Sequence, residues 1–364
     1  MQVPGKILIA CDSFKGCLSS REVADAVCAG LSAVDAELVP LELADGGEGT
    51  AEVLTRALGG ECVAATVTDP LGRPIQASYG LCKDLAVIDT AAASGLTLLS
   101  SDELSPLLTS TYGTGELIAD ALRRGCQRLI VGLGGSATND GGMGLLRAMG
   151  AHFYDTDGAE LPGRGCDLER VHRMDLSGLP SAQFTALCDV TTPFSEAARV
   201  FGPQKGASPE EVELLSAGLA HFASLGGVRN LPGSGAAGGL GGAFQTFLGA
   251  TLQSGIEAVL EAVGFDQLLE GATLVITGEG RADAQTAQGK VAAGVLRHAK
   301  AKGVPVLLLA GQICPSPELS ALGFAGMIQI SPPGMPVEQA LQKAVARENI
   351  VSTLSGRFSS FPWK

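Results

Sequence analysis

Residues 134–142 read Gly-Gly-Ser-Ala-Thr-Asn-Asp-Gly-Gly, directly after the apolar run Leu129-Ile130-Val131-Gly132-Leu133. The run predicts a buried strand that empties into a loop with four glycines, two hydroxyls, an amide and a carboxylate. Backbone N–H groups in such a loop can face an anion, and its side chains can hold a metal or a hydroxyl. Asp12-Ser13-Phe14-Lys15-Gly16, Ala44-Asp45-Gly46-Gly47-Glu48-Gly49 and Thr277-Gly278-Glu279-Gly280-Arg281 also follow apolar runs, and the run Gln183–Asp189 ends in a carboxylate. In open α/β sheets, ligands bind beyond the carboxyl ends of the strands. The tips Asp12, Asp45, Gly134–Asp140, Asp189 and Glu279–Asp283 are therefore expected to gather around one ligand, and the chemistry they suit is the handling of phosphate. Taken singly, each carboxylate reads equally as a turn former or a helix cap.

The net charge of −13 argues against nucleic acid or an anionic membrane as partner, since either wants a basic face. An anionic substrate then needs local cations or Mg²⁺. Lys15, Arg281, Lys290 and Lys205 sit in glycine-bearing stretches and are candidates, with a solvated surface charge the plain alternative for Lys205. A Walker A loop is absent: Val291 follows Gly289-Lys290, and Ala284 stands where the first glycine is required. The four histidines, at 152, 172, 221 and 298, show no metal-ligand pairing, which argues against zinc chemistry and a Ser-His-Asp hydrolase. Gly132-Leu133-Gly134-Gly135-Ser136-Ala137 fits G-x-G-x-x-A, with Asp155 downstream, so a nicotinamide-dependent dehydrogenase of a small hydroxy acid is the rival reading. Against it, Asp140 at the coming helix start would repel a pyrophosphate, and Gly141-Gly142 would weaken that helix.

The elements that must carry these tips follow from periodicity. A length of 364 residues allows two domains, and 46% hydrophobic residues give ample core. With only 4% aromatics, that core must be packed from Ala, Val, Leu and Ile. Lys6–Cys11 reads as a buried parallel strand. Ser19 with Glu22 makes a capping box for a helix whose inward stripe is Val23, Ala26, Val27 and Leu31. A strand at Glu37–Leu43 and a helix at Thr50–Leu58 follow. This βαβα order implies a parallel sheet with right-handed crossovers. Residues 61–90 break into short runs with turn punctuation and read as antiparallel. A helix at 115–124 leads to the strand at 129–133, and 210–224 reads as a helix. The six glycines in 233–242 read as a flexible linker or as an anion-facing nest, ahead of one amphipathic helix running from Phe244 through Leu252 to Leu260. Strand–helix alternation then returns, with Thr273–Ile276 exiting at Gly278.

The expected fold is α/β in two domains. Residues 1–60 and 265–364 form a discontinuous Rossmann-like domain with a doubly wound parallel sheet, and 61–264 form an inserted α/β domain with a mixed sheet. Nine cysteines, an odd number with no Cys-x-x-Cys pair, suit core positions in a reducing cytoplasm. The first residues lead straight into a strand instead of a signal peptide, and no apolar run approaches the roughly 18 residues of a membrane helix.

The chain resembles the type I bacterial glycerate kinases nearly end to end. The resemblance is carried by Asp12–Gly16, Ala44–Gly49, Asp69-Pro70-Leu71-Gly72-Arg73-Pro74, Ala91–Leu96, Thr111–Glu116, Gly134–Gly142, Phe201-Gly202-Pro203-Gln204-Lys205-Gly206-Ala207 and Gly278–Arg281 with Asp283, Gln285 and Thr286. Cys11 stands where the family usually has proline, Ala284 where glycine is usual, and the segment after Thr191-Thr192-Pro193 is short. The resemblance implies a cleft between two α/β domains, ATP and Mg²⁺ as cofactors, and phosphorylation of D-glycerate, usually to 2-phosphoglycerate. A non-catalytic metabolite-binding protein on the same fold is the alternative of another class.

Kinase chemistry needs positioning and charge neutralisation. On the kinase reading, Lys15 or Arg281 meets the glycerate carboxylate, with Asp12, Ser13 and Asp283 on the same substrate side. The base is expected to be Asp189, with Asp45 second. Ser136, Thr138, Asn139 and the amides of Gly134 and Gly135 cradle phosphates, with Gly278 and Gly280, and Lys290 neutralises the γ-phosphate. Asp140 or Glu279 takes magnesium. The sequence leaves the oligomeric state open, a homo-oligomer included.

Overall fold

The computed structural model describes residues 5–287 and 291–357. Lys290, one of the residues expected on the phosphate side, lies outside them. The strands run in chain order as β1 (Lys6–Cys11), β2 (Glu37–Glu42), β3 (Glu61–Thr68), β4 (Pro74–Cys82), β5 (Leu85–Asp89) and β6 (Arg128–Gly132). They continue as β7 (His152–Tyr154), β8 (Arg173–Asp175), β9 (Gln183–Leu187), β10 (Thr251–Gln253), β11 (Ala272–Ala282), β12 (Val306–Ile313) and β13 (Gly326–Gln329). The fold is α/β, in two compact units. One takes the chain up to Asp45 and from Ile256 on; the other is Gly46–Gly255.

The first unit holds a parallel sheet in the order β13-β12-β11-β1-β2. Ile7 and Ile9 on β1, with Leu274, Ile276, Leu307 and Leu309, pack against the helices Ser20–Gly30 and Lys343–Arg357. Each such side chain, fully buried, contributes about 1.5–3 kcal/mol. Leu308 and Ala310 point to the opposite face and pack with Ala292 of helix Val291–Ala301, so helices cover both faces. Ser19 and Glu22 form the expected capping box, and Val23, Ala26, Val27 and Leu31 are buried. After β1 the sheet grows one way, to β2; after β11 it grows the other way, to β12 and β13. The topological switch point therefore falls between β1 and β11, where an open α/β sheet offers its ligand crevice.

The second unit holds a mixed sheet in the order β10-β9-β6-β5-β4-β3, with β3, β4 and β5 antiparallel and the rest parallel. A separate antiparallel pair, β7-β8, lies beside it in sequence. Its core gathers Leu117, Ile118, Leu145, Phe153, Phe222 and Phe244 around Leu129 and Val131 of β6.

Three expectations change. The domain breaks were placed after residues 60 and 264, whereas the compact units divide after Asp45 and Gly255. Helix Thr50–Ala57 packs on β4 and β5, and Ile256 lies under Gly294 of helix Val291–Ala301. The single amphipathic helix from Phe244 to Leu260 is instead the helix Ala236–Phe247, strand β10 and the helix Gly255–Ala262. Gly249, at φ +63°, stops the first helix, and Leu252 pairs with Ala186 of β9. The glycines of 233–242 make no linker: the stretch from Ala236 to Phe244 is buried throughout. Among the described residues no helix is long and apolar enough to cross a membrane.

Candidate active site

In the first unit, the carboxyl ends of β1, β2 and β11 place Asp12, Asp45 and Glu279 on one edge of the sheet. Local hydrogen bonds fix them there. Ser20 Oγ donates to Cys11 O (2.7 Å) and accepts from Leu43 N (2.9 Å), locking the exits of β1 and β2 together. Asp12 N donates to Gly278 O (2.9 Å), tying β1 to β11. Asp12 is 7% exposed, and its Oδ1 accepts from Ser13 N at 2.7 Å. Burial first, and then the charges of Asp45 and Glu279, raise its carboxyl to about 7 against the pull of Lys15 and the Ser13 N–H. Lys15 Nζ lies 3.2 Å from Asp45 Oδ2, and its side chain is 71% exposed. Against partial desolvation, Asp45 and Asp12 hold the Lys15 ammonium above the ordinary lysine value. The unit thus presents an accessible lysine beside a buried carboxyl poised near neutrality.

Glu279 is buried, but the segment around it is not the expected exit loop. β11 continues through Gly278, Glu279, Gly280 and Arg281, and Ala282 still pairs with Ile313 of β12. Gly278 and Gly280 therefore do not form a phosphate-binding loop: they are sheet glycines. A Cβ on Gly278 would meet Leu309 O at 2.8 Å, and Gly280 O lies 2.5 Å from where Gly311 would carry one. Arg281 Nε is 3.2 Å from Asp283 Oδ2, and Asp283 accepts from Gln285 N (2.8 Å), so this pair shapes the turn after β11. Cys11, at the position where proline is expected, is fully buried, and burial pushes its thiol up, out of reactive range.

In the second unit, β6 opens into the loop Leu133–Gly142. Asp140, one of the two expected magnesium ligands, is fully buried and already engaged. Its Oδ2 accepts from Thr111 N (2.7 Å), Thr111 Oγ1 (2.7 Å) and Gly144 N (3.2 Å), and Oδ1 accepts from Gly142 N (3.0 Å). Burial raises its carboxyl, and these donors work against that rise. Asp140 binds the loop to the starts of helices Tyr112–Arg123 and Met143–Ala148, and its four protein donors argue against the metal role expected for it. Gly134 permits a close backbone approach, its absent Cβ lying 2.6 Å from Gly47 Cα, and its N–H points to Gly46 O at 3.4 Å. Gly135 takes φ +75°, and its carbonyl accepts from Leu96 N.

Three polar atoms of this loop stand out among the buried ones. Thr138 Oγ1 and both ends of the Asn139 amide have no hydrogen-bond partner among the described residues. A buried amide left this way costs several kcal/mol unless something else meets it. Ser136 Oγ accepts from Lys205 Nζ (2.9 Å), and Thr138 O accepts from the same ammonium (2.6 Å). Lys205, read from sequence as equally a surface charge, is buried. Its flanking signal is the turn Pro203–Lys205 closed by Gly206 at φ +92°. The stretch of left-handed residues Ala237, Gly238 and Gly239 packs on the loop, and Gly141 N donates to Gly238 O.

Asp189, first choice for the base, caps a helix: Oδ1 accepts from Ser254 Oγ (2.7 Å) and Gly255 N (3.0 Å), at the start of Gly255–Ala262. Within each unit the polar tips do share one strand edge: Asp12, Asp45 and Glu279 in the first, Gly134–Asp140 and Asp189 in the second. The dinucleotide reading fails on local geometry. Gly132 closes β6, an extended loop separates it from a short helix, and Asp155 is spent on Asp157 N, Ala159 N and Arg170 in a turn. Magnesium is held by few carboxylates, with waters and phosphate oxygens. Glu279, the other expected ligand, is buried on the edge that carries Asp12 and Asp45, and among the described residues no three of His, Cys, Asp and Glu group to cage a metal.

The chain matches the model of the glycerate kinase family over residues 7–355. It is 44% identical to the glycerate kinase of Bacillus subtilis (strain 168), over 93% of this chain and 94% of that protein. It is 44% identical to the glycerate 2-kinase of Escherichia coli (strain K12), over 85% of each. A crystal structure from Salmonella typhimurium LT2, assigned as a glycerate kinase 2, superposes with a TM-score of 0.83 at 42% identity over 98% of both chains. With this match the chain belongs to the glycerate kinase family.

Proposed function

We propose that this protein transfers the terminal phosphoryl group of ATP to the 2-hydroxyl of D-glycerate, yielding 2-phosphoglycerate and ADP, and that it falls in the type I bacterial class. Family membership supports the kinase; the name of the Escherichia coli relative supports the 2-position. The observation that carries the phosphate reading is that the buried Thr138 Oγ1 and Asn139 amide lack partners among the described residues. They would bond the nucleotide phosphates, with Ser136 and the loop amides.

On the substrate side, Lys15 offers the accessible cation for the glycerate carboxylate. Arg281 is already paired with Asp283 and is the weaker candidate. Asp12 replaces Asp189 as the base, because Asp189 Oδ1 accepts from Ser254 Oγ and Gly255 N at a helix start, while Asp12 sits buried at the switch point with its carboxyl raised to about 7. As the 2-oxygen attacks the terminal phosphorus, its proton passes to an Asp12 carboxylate oxygen, and the bridging P–O bond breaks to release ADP. Glu279 would hold magnesium, which would supply charge neutralisation on the transferring group. ATP as donor supports a cytoplasmic location.

The test is a coupled assay of ADP release with D- and L-glycerate, followed by phosphorus NMR of the product. We expect D-glycerate-dependent ADP release and a 2-phospho product. No turnover with either enantiomer would overturn the reading, and a 3-phospho product would overturn its regiochemistry.

A further inference from the structure

Lys205 is 2% exposed, a burial that lysine shows rarely unless it is paired with a carboxylate. Among the described residues no carboxylate lies within salt-bridge reach of it. Its ammonium donates instead to Ser136 Oγ and Thr138 O, with the Phe201 ring centroid 6.0 Å away. Both acceptors belong to the loop in which Thr138 Oγ1 and the Asn139 amide lack partners. A buried lysine with no carboxylate in contact, beside buried polar groups that lack partners among the described residues, describes a site completed by an incoming anion.

We propose that Lys205 is the positioning residue of the phosphate loop, holding Ser136 and the 138 carbonyl so that Thr138 and Asn139 face the nucleotide phosphate, whose charge in turn balances the buried ammonium. This rests on the phosphate reading of the loop. Burial draws the Lys205 ammonium down to about 7, and Asp140, the one charged group acting on it, pulls the other way. The free protein at pH 8 then holds Lys205 largely neutral. A bound phosphate favours the ammonium, so binding takes up a proton from solvent, and affinity falls as pH rises above about 7 by up to roughly tenfold per unit.

The experiment is calorimetric titration of ATP at pH 8, in two buffers of different ionisation enthalpy, with steady-state kinetics on the same samples. Wild type should take up a fraction of a proton per ATP. Lys205→Arg, whose guanidinium stays charged, should bind ATP with that uptake abolished. Lys205→Met should raise KM for ATP by about 10- to 100-fold and leave KM for glycerate within about twofold. Equal proton uptake in wild type and Lys205→Arg, or an unchanged KM for ATP in Lys205→Met, overturns the proposal. Asn139→Ala separates the two layers. If it weakens ATP binding while Lys205→Met does not, only the lysine's role falls; if neither weakens it, the phosphate reading falls too. Should Lys205→Met fail to fold, the Lys205→Arg titration decides alone.

Discussion

Asp12, Asp140 and Asp189 carry one functional group and each follows a strand, yet their surroundings give them three different uses. Asp140 is saturated by four donors and holds a loop; Asp189 caps a helix; Asp12 has its carboxyl raised to about 7 by burial and its acidic neighbours. Asp12→Asn should leave circular dichroism and melting close to wild type and lower kcat by about 10²–10⁴-fold, since the general base is lost. Asp189→Asn should show the reverse pattern, with turnover within a few-fold and about 1 kcal/mol lost from a denaturant titration. Activity loss in the second variant and not the first would return the base to Asp189. Asp140→Ala should cost about 3–5 kcal/mol, because it leaves four donors without their acceptor in a dry interior.

Contacts between elements set the stability of each unit. Gly238 has φ +69°, and a Cβ there would lie 2.2 Å from Thr138 O. Gly238→Ala should destabilise by about 2–4 kcal/mol and raise KM for ATP, measured by thermal melting and steady-state kinetics, because the side chain pushes on the loop that carries Thr138 and Asn139. In the first unit, His298 of helix Val291–Ala301 bonds Asp266 (2.7 Å) and Glu257 (3.1 Å). Burial lowers its pKa, but these two hydrogen bonds outweigh that and the net shift is upward. A pKa raised by folding adds stability below the unfolded value near 6.5 and loses it as pH climbs through the folded value. Unfolding free energy should therefore decline by roughly 0.5–1 kcal/mol across that window, and His298→Gln should flatten the decline. A decline of equal size in the variant would assign the titration elsewhere.

At the scale of the molecule, the unit Gly46–Gly255 enters and leaves at adjacent points: the absent Cβ of Gly46 would lie 3.1 Å from Gly255 Cα. It has its own six-stranded sheet and its own core. A segment with close ends and a private core is a domain inserted into another. Residues 46–255 expressed alone should fold, with a single cooperative denaturant transition and the helical and strand content of this unit. A fragment that stays unfolded or melts without cooperativity would show that the unit depends on the rest of the chain.

Much of this was legible in the residues alone. The capping box at Ser19 and Glu22, the stripe from Val23 to Leu31, the strand Lys6–Cys11 and the antiparallel run at 61–90 each depend on neighbours a few positions away, so spacing reports them. The family, too, is written in short motifs. What spacing does not report is the partner contributed by a distant segment. Gly278 and Gly280 read as a loop because glycine marks both turns and tight sheet contacts, and only the approach of β12 distinguishes the two. The roles of Asp12, Asp189 and Lys205 depend on burial and on the atoms opposite them, supplied by β11, by Ser254 and by the 134–142 loop. Local periodicity is a short-range property and was determined by the chain's order; desolvation and hydrogen-bond saturation are properties of three-dimensional surroundings, and only the tertiary structure decided them.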